Sequence, residues 1–186
     1  MGKLIIFSAP SGSGKTTIVH RLMGLVEGLE FSVSATSRSP RGVEQNGKDY
    51  YFLSGEEFDR KIAEDAFVEW EEVYAGTKYG TLRSELERIW AKGHTILFDV
   101  DVKGGVRLKD IFGTQALSIF IMPPSIEELR NRLVGRATDS PEKIEQRVAK
   151  AGEELTYAER FDLVVVNDNL EEAVEGVRKA VEEFIK

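Results

Sequence analysis

The sequence contains no cysteine, only two histidines and only five prolines in 186 residues. Without cysteine there is no disulfide framework and no thiolate-ligated zinc or iron–sulfur site, and two histidines are too few for a histidine metal cage. No apolar run approaches the roughly 18 residues of a membrane helix. The apolar start, Leu4-Ile5-Ile6-Phe7, is also too short for a signal peptide. We therefore expect a cytoplasmic protein that does not associate with membranes.

A surplus of basic residues is also missing, since 25 Lys and Arg face 32 Asp and Glu, for a net charge of −7. A protein that binds DNA or RNA by counterion release usually carries a basic face, so no nucleic-acid partner is expected. The acidic surplus lies mainly in residues 53–79 and 151–186. Apolar residues make up 41% of the chain, which is enough for one hydrophobic core and predicts a single domain.

Short apolar runs alternate along the chain with amphipathic helical patterns. The runs lie at residues 4–7, 96–98, 119–122 and 163–166, and none shows the period-2 alternation of a half-exposed strand. Apolar residues at helical spacing occupy 18–26, 82–90, 126–133, 144–151 and 170–181. This alternation predicts an α/β fold with a mainly parallel sheet.

Residues 31–79 interrupt this alternation and predict a small appended subdomain of short strands, because polar residues and glycines there surround Tyr50-Tyr51-Phe52. Trp70 and Trp90 are expected to be core aromatics, since no basic residues accompany them. Helix starts are predicted at Ser54 with Glu57, at Ser125 with Glu128, and at Ser140-Pro141.

A phosphate-binding loop is predicted directly after the first apolar run. The segment Ala9-Pro10-Ser11-Gly12-Ser13-Gly14-Lys15-Thr16 has Ala9 where the usual pattern has its first glycine. Small residues allow successive backbone N–H groups to point into one concavity, and Lys15 adds a positive charge for the β- and γ-phosphates. Thr16 would supply a hydroxyl to Mg²⁺. The alternative, a glycine-rich surface turn, is disfavoured by the position between a strand and a helix.

Arg38 and Arg41, with hydroxyl residues on both sides, are suited to holding a second phosphate. Solvated surface arginines are the alternative, but a phosphoryl transferase also needs an acceptor site. Asp99 ends an apolar run, where a carboxylate can complete a magnesium shell through water or can cap the next helix. Glu69 is either a hydrogen-bond acceptor for a ligand or one more charge in an acidic run.

Four arginines, Arg130, Arg132, Arg136 and Arg147, lie in and after the helical pattern that begins at residue 126. They predict a mobile lid that brings positive charge to the transferring phosphates. The alternative is a pair of surface helices joined by salt bridges, because several glutamates lie nearby.

Taken together, these segments resemble guanylate kinase, in order and over essentially the whole chain. The segments that carry the resemblance are Ser8 to Thr16, Ser34 to Arg41, Asn46 to Tyr50, Phe67 to Trp70, Tyr79 to Thr81, Asp99 to Val102 and Val165 to Asp168.

The resemblance implies a five-stranded parallel P-loop sheet flanked by helices, with a GMP-binding subdomain and a helical lid. The implied bounds are 1–32, 83–124 and 151–186 for the core, 33–82 for the subdomain and 125–150 for the lid. The implied activity is transfer of the γ-phosphoryl group of ATP to GMP and dGMP with Mg²⁺, in purine nucleotide metabolism and GMP recycling. A P-loop kinase of another small phosphate ester and a non-catalytic binding module are the alternatives. Monomer and homo-oligomer are both left open.

The resemblance also implies roles for individual residues. ATP would be bound by Ala9, Pro10, Ser11, Gly12, Ser13, Gly14, Lys15, Thr16, Thr17 and Asn167. The GMP phosphate would be bound by Arg38, Arg41, Tyr50 and Tyr79, and guanine by Ser34, Glu69, Thr81 and Asp101. Lys15, Arg132, Arg136 and Arg147 would be catalytic, and Thr16 and Asp99 would hold the metal, Asp99 through water. Lys78 and Lys103 depart from the family pattern, so they receive no role.

Overall fold

The computed structural model describes residues 2–74, 76–135 and 140–186. The strands are β1 (Leu4–Ser8), β2 (Leu29–Phe31), β3 (Ala35–Thr36), β4 (Tyr51–Phe52), β5 (Phe67–Tyr74), β6 (Thr77–Leu82), β7 (Thr95–Asp99), β8 (Ala116–Met122) and β9 (Leu163–Val166). The helices are α1 (Lys15–Leu25), α2 (Gly55–Ala63), α3 (Arg83–Trp90), α4 (Val102–Phe112), α5 (Ile126–Gly135), α6 (Pro141–Leu155) and α7 (Leu170–Ile185).

The chain divides into two compact units. One consists of Met1–Leu29 and Leu97–Lys186, and the other of Glu30–Ile96. None of the helices in the described ranges combines the length and the hydropathy needed to cross a bilayer. The narrower subdomain bounds of 33–82 and the lid bounds of 125–150 stay predictions.

A five-stranded parallel sheet in the order β2-β7-β1-β8-β9 organises the fold and confirms the predicted α/β class. Side chains of Leu4 to Phe7 in β1 are fully buried, as expected for a strand covered on both faces. Each of the four predicted apolar runs coincides with a strand. The fifth strand, β2, gives no such signal because it has only three residues, all half-buried.

Local capping chemistry sets several helix ends. Ser54 accepts a hydrogen bond from the backbone of Glu57, whose side chain accepts one from the backbone of Ser54, so the predicted capping box is confirmed. Ser140 caps α6 and proline follows at the first turn, also as predicted. The pattern analysis did not identify α4, because Gly104 and Gly105 lower the helix propensity of its first turn.

The second unit is built on a four-stranded sheet in the order β4-β3-β6-β5. Its core packs Ala35, Phe58, Phe67 and Leu82, with the rings of Phe58 and Phe67 stacked 4.4 Å apart. Trp70, expected in the core, is 41% exposed, so that prediction is wrong. The reason is that β5 is an edge strand, whose register shifts between Phe67 and Glu69.

Replacing Phe58 by alanine should destabilise this second unit, because Phe58 is fully buried and stacks on Phe67. The expected loss is about 3–5 kcal/mol in the free energy of unfolding, measured by urea denaturation. Val43→Ala is the control, because Val43 is 93% exposed. Equal stability of the two variants would contradict the assignment of Phe58 to the core.

Candidate functional site

The predicted phosphate-binding loop lies between β1 and α1, where the chain turns through left-handed backbone conformations. Gly12 and Gly14 have φ values of +98° and +92°, which residues with a side chain rarely adopt. Gly14 caps α1, whose first residue is Lys15, and Thr16 and Thr17 lie in the exposed first turn. The backbone N–H groups of this turn have no earlier helical carbonyl to bond, so they are available to an anion.

Asn167 holds the loop from the opposite side. This residue follows β9 and is 6% exposed, and its Nδ2 donates a hydrogen bond to the carbonyl of Ser13 at 2.8 Å. A Cβ atom at Gly14 would lie only 2.3 Å from the same Nδ2. The amide side chain therefore fixes the loop backbone in the conformation that glycine permits.

Lys15 joins the loop to the end of β7. Its ammonium group forms an ion pair with Asp99 and donates a hydrogen bond to the carbonyl of Val100 at 2.9 Å. A cavity of about 400 Å³ opens over this pair. The residues that line it are Ala9 to Thr17, Asp99, Val100, Asp101, Lys150 and Glu154.

The hydroxyl of Ser13 in the wall of this cavity has no hydrogen-bond partner in the described structure, although the residue is fully buried. Buried polar groups are normally satisfied, so this hydroxyl is an exception among the side chains of the loop. Asp101 also lines the cavity, and its carboxylate caps α4 by accepting a hydrogen bond from Gly104 at 2.8 Å.

Two of the predicted lid arginines reach this part of the fold. Nη1 of Arg147, on α6, donates to the hydroxyl of Ser11 in the loop at 2.7 Å. Arg132, on α5, donates to Glu128 at 2.8 Å and to the carbonyl of Asn167 at 3.0 Å.

Other features of α5 and α6 bear on the lid hypothesis. Arg130 is paired with Glu145. Such a pair is expected if α5 and α6 are surface helices joined by salt bridges, which is the alternative to a lid. The two helices share a buried cluster of Leu129, Leu133, Ile144, Val148 and Ala151. Arg136, the remaining predicted catalytic arginine, lies outside the described residues.

The second unit collects the residues predicted to hold a second phosphate. Arg38 donates two hydrogen bonds to the carboxylate of Glu44, at 2.6 and 2.8 Å, and the backbone N–H of Arg41 donates to the same carboxylate at 2.7 Å. The hydrogen bonds from Arg38 lower the pKa of Glu44 to about 2, so Glu44 is ionised at neutral pH. The guanidinium of Arg38, which is predicted to bind phosphate, thus already binds an internal anion.

Aromatic side chains surround Arg38. Its guanidinium lies 5.0 Å from the ring centre of Tyr50 and donates a hydrogen bond from Nε to the hydroxyl of Tyr79 at 3.1 Å. The two tyrosine rings pack edge to face, 5.9 Å apart. The second unit therefore brings together three of the four residues predicted to bind the GMP phosphate in one cluster.

The predicted guanine-binding residues of this unit lie on its strands. The hydroxyl of Thr81 on β6 is buried and donates to the carboxylate of Glu69 on β5 at 2.8 Å. The carbonyl of Ser34, just before β3, accepts a backbone hydrogen bond from Tyr51. Glu69 and Thr81 are thus paired as acceptor and donor.

Sequence reasoning assigned no role to Glu44, Lys150 or Glu154. A carboxylate six residues after Arg38 was a possible signal for Glu44, because opposite charges at such spacing can meet across a loop. Lys150 lies one helical turn after Arg147, and Glu154 one turn further. Only the packing of α6 against the loop brings the last two to the cavity.

Comparisons with known proteins agree along the whole chain. A family model described as Guanylate kinase matches residues 1–184. The chain is 58% identical to the "Guanylate kinase" of Porphyromonas gingivalis, covering 100% of this chain and 99% of that protein. It is 50% identical to the "Guanylate kinase" of Chlorobaculum tepidum, covering 99% and 94%. The crystal structure of guanylate kinase from Anaplasma phagocytophilum matches with a TM-score of 0.73 at 33% identity, covering 100% of this chain and 87% of that one.

Replacing Gly14 by alanine should strongly weaken ATP binding, because the alanine would need a left-handed backbone and its Cβ would collide with Asn167. We expect at least a 10²-fold weaker affinity for ATP, on the order of 3 kcal/mol, in equilibrium titrations. Gly24→Ala is the matched control, since Gly24 lies in α1 and its Cβ would meet nothing within 4 Å. Unchanged ATP affinity in the Gly14 variant would rule out a phosphate site at this turn.

Proposed function

We propose a residue-level mechanism for this chain, which belongs to the guanylate kinase family and transfers the γ-phosphoryl group of ATP to GMP. The observation that carries the mechanism is the Lys15 ammonium beside Asp99 in a cavity walled by the phosphate-binding loop. The reaction belongs to purine nucleotide metabolism and takes place in the cytoplasm in this proposal.

The loop binds the β- and γ-phosphates of ATP. Its N–H groups and the positive end of α1 attract the triphosphate, and Lys15 exchanges part of its contact with Asp99 for phosphate oxygens. The exposed first-turn hydroxyls of Thr16 and Thr17 offer further polar contacts. Asn167 supports this binding through the carbonyl of Ser13.

The second unit binds GMP. Its phosphate takes the donors of Arg38, Arg41, Tyr50 and Tyr79, in competition with Glu44. Guanine presents N1–H and an amino group as donors, and the carboxylate of Glu69, oriented by Thr81, is an acceptor only. Adenine has an unprotonated N1 there, so a carboxylate would face a lone pair. Ser34 of the same unit is a further guanine contact in this proposal.

Catalysis comes from positioning and from stabilisation of the transferring charge. The attacking oxygen of GMP is already anionic near neutral pH, so no side chain needs to remove a proton. Lys15, Arg132 and Arg147 bring positive charge to the phosphates. Arg136 has the same proposed role, although it lies outside the described residues. Closure of the lid would exclude water and so suppress hydrolysis of ATP.

Mg²⁺ fits the oxygen donors of the cavity. The hydroxyl of Thr16 and the carboxylate of Asp99 line the same space, and Mg²⁺ usually takes one or two protein oxygens with waters and substrate phosphates. Among the described residues no group of three or more His, Cys, Asp or Glu forms a dedicated metal cage. When bound, the ion neutralises charge on the β- and γ-phosphates.

Lys15→Ala should lower kcat by at least about 10²-fold, because it removes the charge that faces the transferring group. The melting temperature is expected to remain close to that of the unmodified chain, since Lys15 is not a core residue. Lys179→Ala is the control, because its side chain is 71% exposed on α7. Near-normal turnover in the Lys15 variant would exclude the proposed loop mechanism.

Glu69→Gln should weaken GMP selectively, because a glutamine amide can place a donor against the donors of guanine. We expect about a 10-fold or larger rise in KM for GMP with an unchanged KM for ATP. A coupled assay with GMP, dGMP, AMP, UMP and ribose phosphates measures both the selectivity and the function itself. Glu56→Gln, on the exposed first turn of α2, is the control. Equal losses for ATP and GMP would contradict the role of Glu69.

A further inference from the structure

Two charged side chains of α6, Lys150 and Glu154, line the phosphate cavity without a role in the mechanism above. They lie one helical turn apart, and Nζ of Lys150 is 3.4 Å from Oε1 of Glu154. A carboxylate in the wall of a cavity that receives a triphosphate is unfavourable unless a cation accompanies it.

The two members of the pair differ in their surroundings. The side chain of Glu154 is 15% exposed and that of Lys150 is 70% exposed. Burial raises the pKa of Glu154, Lys150 and Lys15 oppose this shift, and Asp101 adds to it. Lys150 is thus the exposed partner, whose side chain lies mainly in solvent, while Glu154 is largely buried in the wall.

The packing of α6 directs this pair towards the phosphate-binding loop. Arg147 lies one turn before Lys150 and is hydrogen-bonded to Ser11 of the loop. Lys143, Arg147 and Lys150 line a second, more open depression on α6. Of these three, only Lys150 also lines the phosphate cavity.

We propose that Lys150 is a further phosphate-binding residue, which leaves the carboxylate of Glu154 for the triphosphate of ATP when the nucleotide binds. The proposal rests on the proposed role of the cavity as the ATP site. Lysine suits this exchange because its ammonium is a compact charge on a flexible four-carbon stem, able to reach either anion.

The test compares the affinities of Lys150→Ala, Lys150→Arg and Lys143→Ala for ATP and for inorganic tripolyphosphate by titration calorimetry. Lys150→Ala should weaken both ligands about 5-fold, as expected for a partly exposed ion pair, whereas adenosine binding should not change. Lys150→Arg should keep most of the affinity. Lys143→Ala, on the same helix but outside the cavity, should behave as the unmodified chain.

Tripolyphosphate affinity that is the same in Lys150→Ala and Lys143→Ala would overturn the proposal. Because the titrations contain no GMP, this failure is distinct from failure of the proposed function. A chain that phosphorylates GMP normally but shows no Lys150 effect refutes only the role of Lys150. Conversely, Lys150→Ala could weaken tripolyphosphate binding in a chain that does not phosphorylate GMP. That result would refute only the proposed function.

Glu154→Gln tests the exchange itself. If Glu154 competes with the triphosphate for Lys150, this substitution should tighten tripolyphosphate binding about 2- to 3-fold, and by less in the Lys150→Ala background. If Glu154 has only a structural role, Glu154→Gln should lower the melting temperature. Its effect on tripolyphosphate affinity should then be the same with and without Lys150. Weaker tripolyphosphate binding in Glu154→Gln would overturn the exchange.

Discussion

The left-handed turn at Gly14, held by the amide of Asn167, is the constraint on which the proposed phosphate site depends. Asn167 follows the last strand of the sheet and Gly14 follows the first, so this contact joins distant parts of the sequence. Parallel strands place the loops at their carboxyl ends along one edge of the sheet. The same edge supplies Asp99 after β7, which positions Lys15.

Internal carboxylates accompany the cations that are proposed to bind phosphate. Lys15 is paired with Asp99, Arg38 with Glu44, and Lys150 with Glu154. Such pairs keep positive charge within a site at a smaller desolvation cost than isolated cations would have, because each cation is neutralised by a carboxylate before the ligand binds. Phosphate binding then becomes an exchange of anions, which favours ligands with several negative oxygens. The overall negative charge of the chain is compatible with a nucleotide site for this reason.

Much of the fold could be predicted from local signals. The burial of residues 4–7, the capping box at Ser54 and the start of α6 at Ser140 follow from apolar runs and hydrogen-bonding side chains close in sequence. Where the local signal was weak, prediction failed. Strand β2 is too short to give a pattern, glycines obscure the start of α4, and Trp70 is exposed because β5 is an edge strand.

The sequence by itself was enough to predict the phosphate-binding loop and a second phosphate site at Arg38 and Arg41, because glycine conformations and bidentate anion binding depend on residue type at short spacing. It also carried the resemblance to the guanylate kinase family, which the comparisons confirm. Tertiary structure alone decided that Glu44 occupies the donors of Arg38 and that Lys150 and Glu154 face the cavity. The Glu44 contact depends on how a loop folds back, which the spacing of six residues permits but does not decide. The positions of Lys150 and Glu154 depend on how a helix packs against a loop more than 130 residues away in the sequence.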